Sequence, residues 1–214
     1  MSRRDSFKSA DARIVLFGER NVGKSAVAVR FITKRFIGEY DSSQDFHYQF
    51  QTNIKDENVN IEVLDPGPIP RGQNRDRIIL NHTLWGDSFV LIYSITDRKS
   101  FNSIMNFYQS LCNVKPKPVV ILMANKSDLE HKRKVLKSEG TQLAELMKCP
   151  LYECSAADGF ESITQAFHDL YHEVLKKKKE RKYSLSPRPL RSAMGKLFRR
   201  NSTKANLLSP DSLV

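Results

Sequence analysis

Eight residues near the N-terminus, Gly18-Glu19-Arg20-Asn21-Val22-Gly23-Lys24-Ser25, set two glycines, a lysine and a serine at the spacing G-x-x-x-x-G-K-[ST]. A loop of this kind turns successive backbone N–H groups inward around an anion, and its glycines let the chain come close to it. Lys24 is then expected on the β- and γ-phosphate oxygens and the Ser25 hydroxyl on Mg²⁺, with Ala26 closing the phosphate-binding stretch. A second cluster, Asn125-Lys126-Ser127-Asp128, follows an apolar run at 119–124. A carboxylate at Asp128 accepts from both N1–H and the exocyclic amine of guanine, a pair that adenine does not offer, and a wrong base would leave that charge unpaired. Alone, this tetrapeptide reads as a solvated turn opened by asparagine. Downstream of a phosphate loop it reads as the base-reading half of the same site.

Positioning these clusters requires a strand, a loop and a helix in sequence. Residues 13–17 are apolar and stop at the glycine loop, and apolar residues recur at helical spacing across 24–34. Further strands are expected at 59–64, 88–93, 119–124 and 151–154, separated by helical patterns near 99–113, 136–148 and 160–178. Strands alternating with helices imply a mainly parallel sheet covered on both faces, with ligands at the carboxyl ends of its strands. Residues 46–53 join 59 through the short polar turn Lys55-Asp56-Glu57-Asn58, as a hairpin does, which adds one antiparallel edge strand. The expected fold is a three-layer α/β P-loop domain with a six-stranded, mostly parallel sheet and about five helices.

Together these segments resemble the Ras family over about residues 11–175. The segment Arg30-Phe31-Ile32-Thr33-Lys34-Arg35-Phe36-Ile37-Gly38-Glu39-Tyr40 is similar to the branch of Ras-related, oestrogen-regulated growth inhibitors. The resemblance implies GTP or GDP with Mg²⁺ as ligands and signalling by nucleotide state. It implies that Phe36 stacks on guanine, that Lys126 lies along the base and the P-loop, and that Asn125 belongs to the base pocket. Glu153-Cys154-Ser155-Ala156 resembles the last base-contacting loop, which brings Ser155 to the base and the Ala156 N–H to the guanine carbonyl oxygen; the family's following lysine is Ala157 here. Tyr40-Asp41-Ser42-Ser43 resembles the first switch and assigns Ser43 to Mg²⁺, alongside Ser25 and Asp65.

The second switch departs from the pattern. Asp65 matches the aspartate that holds Mg²⁺ through water, but Pro66-Gly67-Pro68-Ile69-Pro70 stands where the family has Thr-Ala-Gly-Gln. Without a gap Pro68 falls at the family's glycine and Ile69 at its glutamine; with one deletion Gly67 is the glycine and Pro68 the glutamine. Neither frame supplies a water-orienting amide, proline lacks the N–H that senses a γ-phosphate, and three prolines stiffen a segment that must reorder. Slow hydrolysis and a blunted switch are expected, the alternative being a pseudo-GTPase that binds nucleotide and serves as an interaction module. Arg20 stands beside the γ-phosphate where close relatives of Ras have glycine. It would obstruct an activating protein's arginine finger, act as a finger in cis, or remain an exposed loop arginine. Effectors and regulators are expected on switch I (36–46) and switch II (65–80) of a monomer.

Composition divides the chain in the same way. Hydrophobic residues make up 40% and charged residues 28% of the 214, the balance of a chain able to bury one core. The net charge of +11 sits at the ends, with +2 on 1–10, −1 on 11–175 and +10 on 176–214. A flexible N-terminus at 1–10, a nucleotide-binding domain at 11–175 and a basic, disordered tail at 176–214 are the expected divisions. No apolar run reaches the length of a membrane span and no cysteine follows Cys154, so a cytoplasmic, unprenylated protein is expected. The tail offers Lys176 to Lys179, Arg181 and Lys182, then Leu190, Met194, Leu197 and Phe198 at helical spacing beside further basic residues. That fits a peripheral contact with an anionic plasma membrane, a nuclear or nucleolar address or a nucleic-acid contact, or a solvated tail without a partner. Cys112, Cys149 and Cys154 have no metal or redox spacing and are read as buried thiols.

Overall fold

The computed structural model describes residues 9–40, 43–69 and 74–185, with side chains to 183. The strands are β1 (Ala12–Phe17), β2 (Phe46–Ile54), β3 (Glu57–Asp65), β4 (Ser88–Ser94), β5 (Val119–Asn125) and β6 (Leu151–Glu153). The helices are α1 (Lys24–Thr33), α2 (Asn74–Trp85), α3 (Arg98–Asn102), α4 (Ile104–Val114), α5 (Lys137–Met147) and α6 (Glu161–Leu185), with a short 3₁₀ segment at Ser127–Lys132. The sheet order is β2-β3-β1-β4-β5-β6. Among the described residues only β2 and β3 pair antiparallel; β1 pairs parallel with β3 and β4, and β4, β5 and β6 continue in parallel.

Alternation along the central strands builds the three layers, because successive side chains leave opposite faces of the sheet. Ile14 and Leu16 point to one face, where they meet Ala26, Val27 and Phe31 of α1 and Ile163, Phe167 and Leu170 of α6. Val15 and Phe17 point to the other, against Ile79 of α2, Ile104, Phe107 and Leu111 of α4 and Ala144 and Met147 of α5. Aromatic stacking ties each layer down: Phe31 lies 4.1 Å from Phe167 and Phe17 lies 5.8 Å from Phe107, centroid to centroid. The chain leaves β1 toward β3 on one side, and returns beside it as β4 on the other. A crevice therefore opens at the carboxyl end of β1, where the winding reverses.

Three differences from the sequence reading have physical causes. Helix α2 was not legible because it buries Ile79, His82 and Thr83 while leaving Leu80 and Leu84 outside, so its core face does not read as apolar. The single pattern at 99–113 is two helices, since Asp97 caps α3 through the Lys99 N–H and a fresh helix starts after Ser103. Helix α6 runs to Leu185, so residues 176–185 are helical where a disordered tail was expected; Leu190, Met194, Leu197 and Phe198 lie outside the described residues, as do Asp41, Ser42 and Pro70. Of the three cysteines only Cys154 is buried, while Cys112 and Cys149 are half-buried. The chain divides into two units, residues 1–177 and 178–214. Among the described residues no helix is long and apolar enough to cross a membrane.

Candidate functional site

A cavity of about 490 Å³ opens at the carboxyl ends of the strands. It is lined by Arg20, Asn21, Gly23, Lys24, Ser25 and Ala26 from the first loop and α1. Phe36, Gly38 and Tyr40 come from the segment after α1, and Pro66, Gly67 and Pro68 from the end of β3. Asn125, Lys126, Asp128 and Leu129 follow β5, and Ala156 and Ala157 follow β6.

The first loop bends as its glycines allow. Gly23 caps α1 in the left-handed conformation at φ 95°, and a Cβ there would stand 2.4 Å from the Asn125 side-chain nitrogen. A Cβ on Gly18 would stand 2.3 Å from the Ile92 carbonyl oxygen, so the loop turns directly against β4. Val22 is buried below the loop, Glu19 is half-buried and Arg20 is exposed at the rim. The Lys24 ammonium reaches back to the carbonyls of Gly18 and Glu19, both at a long 3.4 Å. Burial pulls its pKa down, and the charges of Asp65 and Glu19 oppose that pull. Asp65, 2% exposed at the end of β3, is affected in the opposite direction: burial raises its carboxyl pKa, while a hydrogen bond with Ser25 and the Lys24 charge act against the rise. One of its oxygens, Oδ1, is buried without a hydrogen-bond partner. A buried ammonium on long bonds and an orphaned carboxylate oxygen beside a serine hydroxyl are groups that polyphosphate and a divalent cation would satisfy.

The base-side residues form one connected network. The Asn125 amide donates to the Val22 carbonyl at 2.8 Å and accepts from the Ala156 N–H at 3.1 Å, joining the first loop to the loop after β6. Lys126, left-handed at φ 68°, donates from Nζ to the Asn21 carbonyl at 2.6 Å. The Ser155 hydroxyl donates to Asp128 Oδ1 at 2.6 Å and accepts from the N–H groups of Ala157 and Asp158. Phe36, 47% exposed, lines the cavity, and its ring meets that of Tyr40 in an edge-type contact at 6.4 Å between centroids. Replacing Asn125 by Ala removes both bridges and leaves the buried Ala156 N–H without its acceptor. At about 1–3 kcal/mol for an orphaned buried group, a loss of about 1–3 kcal/mol in urea unfolding is expected.

All but one of the sequence-derived residues converge on this cavity or on residues directly supporting it. Ser43 is the exception: it is exposed three residues ahead of β2 and does not line the cavity. Two residues the sequence reading did not single out enter the site. Asp45 accepts from the Gly67 N–H at 2.9 Å and meets His82 Nε2 of α2 at 2.8 Å, closing the end of switch I onto the start of switch II. The approach is close enough that a Cβ on Gly67 would stand 2.7 Å from the Gln44 carbonyl carbon. Arg30, buried in α1, bonds the carbonyls of Ala156 and Ala157. Neither had a signal in the sequence, because an acid and an arginine at those positions acquire partners only through the tertiary fold.

A glycine loop between β1 and α1, a reversal of winding at that loop, and a buried lysine and carboxylate facing one another across the crevice define a P-loop nucleotide-binding domain. The Ras family model matches residues 13–176. The chain is 42% identical over 198 residues to the human (Homo sapiens) Ras-related and estrogen-regulated growth inhibitor, covering 92% of this chain and 91% of that protein. It is 38% identical over 198 residues to Ras-like protein family member 11B of Xenopus tropicalis, covering 88% and 80%, and 37% identical over 175 residues to GTP-binding protein Rit1 of Mus musculus, covering 80% and 78%. The chain belongs to the Ras family of small GTPases.

Proposed function

We propose that this Ras-like switch protein hydrolyses GTP slowly and changes little with nucleotide state. The observation that carries the reading is the start of switch II. Pro66 and Pro68 have no N–H, and the one donor between them, on Gly67, is engaged by Asp45 at 2.9 Å. No side chain from Pro66 to Ile69 carries an amide, so none of them orients a water for in-line attack. Asp45 is also held by His82, and a γ-phosphate seeking the Gly67 N–H competes with a carboxylate that is already anchored.

The remaining residues divide the binding work. Lys24 and the backbone from Gly18 to Ala26 hold phosphate oxygens, with Gly67 at their far side. Ser25 and Asp65, with Ser43 brought in by switch I, are the proposed hold on Mg²⁺, which when bound neutralises phosphate charge. Asn125, Lys126, Asp128, Ser155 and Ala156 form the guanine slot and Phe36 its cover. Arg20 lies exposed at the cavity rim, which fits obstruction of an incoming arginine finger better than a finger in cis. Ile37 and Leu80, each more than 40% exposed, give the two switch segments apolar ground for effectors and regulators of a monomeric chain. The basic residues of 176–214 suit a cytoplasmic protein with a peripheral pool on an anionic membrane or on nucleic acid.

Nucleotide released from purified protein, identified by chromatography, followed by single-turnover hydrolysis of loaded GTP with Mg²⁺, tests the reading. GDP recovered, with a rate at least about tenfold below that of a Ras-family protein carrying the switch II glutamine, is the expected result. An equal rate overturns it. GTP recovered intact with no turnover favours the second reading, a nucleotide-holding interaction module, for which the Asp45 contact is equally the structural argument.

A further inference from the structure

Beyond Lys24 at its start, helix α1 carries a second charged residue that faces inward. Arg30 is 8% exposed, and its guanidinium has no acidic partner among the hydrogen bonds it makes. Its Nε donates to the Ala156 carbonyl at 2.6 Å and its Nη2 to the Ala157 carbonyl at 2.6 Å. Nη1 donates to the Lys34 carbonyl at 3.0 Å, at the left-handed cap that ends α1. The plane of charge also lies 5.7 Å from the centre of the Phe36 ring. Three of these four contacts are to residues that line the cavity, Ala156, Ala157 and Phe36, and the fourth holds the Lys34 cap two residues before Phe36.

A buried cation satisfied only by carbonyls is costly unless its geometry fits, and the five-donor fork of arginine meets diverging acceptors as a lysine ammonium cannot. The helix end adds to the fit, because carbonyls at a helix C-terminus carry negative partial charge. Such an arrangement fixes the distance between the cap of α1 and the loop after β6, which is the width of the slot on either side of the base. We propose that Arg30 is a positioning residue for guanine: it holds the Ala156–Ala157 wall and the Phe36 cover in one register, and so sets how long nucleotide stays bound. The proposal rests on the guanine-nucleotide reading of the cavity.

The test follows release of a fluorescent GDP from the full-length chain, with Mg²⁺ and with excess chelator, for wild type, Arg30→Met and Arg30→Lys. Arg30→Met is expected to speed release about 10- to 100-fold by the same factor in both conditions, because the base end does not depend on the metal. Arg30→Lys, which keeps the charge but cannot serve all the carbonyls, is expected to speed it several-fold and keeps the question open to measurement if the Met variant does not fold. Phe36→Leu is expected to be non-additive with Arg30→Lys, since the two act on one wall-and-cover unit. Release rates equal to wild type well below the unfolding temperature, with only the unfolding midpoint lowered, overturn the proposal and leave Arg30 a packing residue. A wild-type chain that retains no guanine nucleotide overturns the nucleotide reading and this one with it; one that retains it while both Arg30 variants release at its rate overturns this one alone.

Discussion

Replacement of Lys24 by Met is expected to lower affinity for GDP and GTP by about 10²- to 10⁴-fold while lowering the stability of the free protein far less. The two halves of this expectation come from the same geometry. In the free protein the ammonium makes only long contacts of 3.4 Å with the Gly18 and Glu19 carbonyls, and burial already pulls its pKa down. Removing it costs the fold those contacts and its attraction for the neighbouring Asp65 carboxylate, which burial already biases toward its neutral form. Phosphate oxygens entering the loop would supply what those carbonyls do not, and truncating one partner of a buried, hydrogen-bonded charge pair costs about 2–5 kcal/mol. The pH dependence has a definite sign. Bound phosphate raises a pKa that burial has lowered, so the complex holds its proton where the free protein has begun to lose it. Affinity therefore falls as pH rises through the free-state pKa of Lys24, and it does so at lower pH than an exposed lysine would require. Titration calorimetry of wild type and variant at neutral and alkaline pH, beside urea unfolding of both, reads all of this. Unchanged affinity in the variant would mean that the loop binds its anion through backbone N–H groups alone.

How far the sequence led depends on whether a residue's role is local. The glycine loop was legible because Gly18 and Gly23 answer steric demands on the loop itself, and β4 because all seven of its residues are buried and the chain shows it as one apolar run. The antiparallel edge was legible from its polar turn, and Lys55 and Asp56 do adopt the positive φ that such a turn requires. Helix α2 was not, because its inward face uses His82 and Thr83, whose burial is made tolerable by Asp45 across the crevice and by the Ile79 carbonyl one turn back. The same explanation covers the site. Asn125, Lys126 and Asp128 announce themselves by spacing, whereas Asp45 and Arg30 matter through partners 22 and 126 residues away, which no local pattern records. Phe31, next to Arg30 in the chain, behaves as an ordinary core residue.

Replacement of Asp65 by Asn separates what this site costs the fold from what it contributes to binding. The folded pKa of Asp65 is raised above its ordinary value, chiefly by burial. A group shifted this way stabilises the fold fully below its unfolded pKa, and that contribution is lost as pH rises through the folded pKa. At neutral pH the free protein therefore pays for an ionised carboxylate whose Oδ1 has no partner. Asparagine keeps the shape and removes the charge, including the repulsion that Asp45 exerts on the site. The variant is expected to unfold at higher urea than wild type at neutral pH, with the difference closing in acid below the ordinary carboxylate range. Its nucleotide binding should move the other way. If Asp65 belongs to the proposed hold on Mg²⁺, its anionic oxygen would help to retain the metal, and losing such a group lowers metal affinity by about 10- to 100-fold. Release from the variant should thus be fast and nearly indifferent to Mg²⁺, while release from wild type slows on adding it. A variant both more stable and still slowed by Mg²⁺ would leave the cost of Asp65 in place and assign the metal to Ser25 and its other neighbours. A variant less stable at neutral pH would instead mean that the Lys24 and Ser25 contacts outweigh burial, and that the site is held together before any nucleotide arrives.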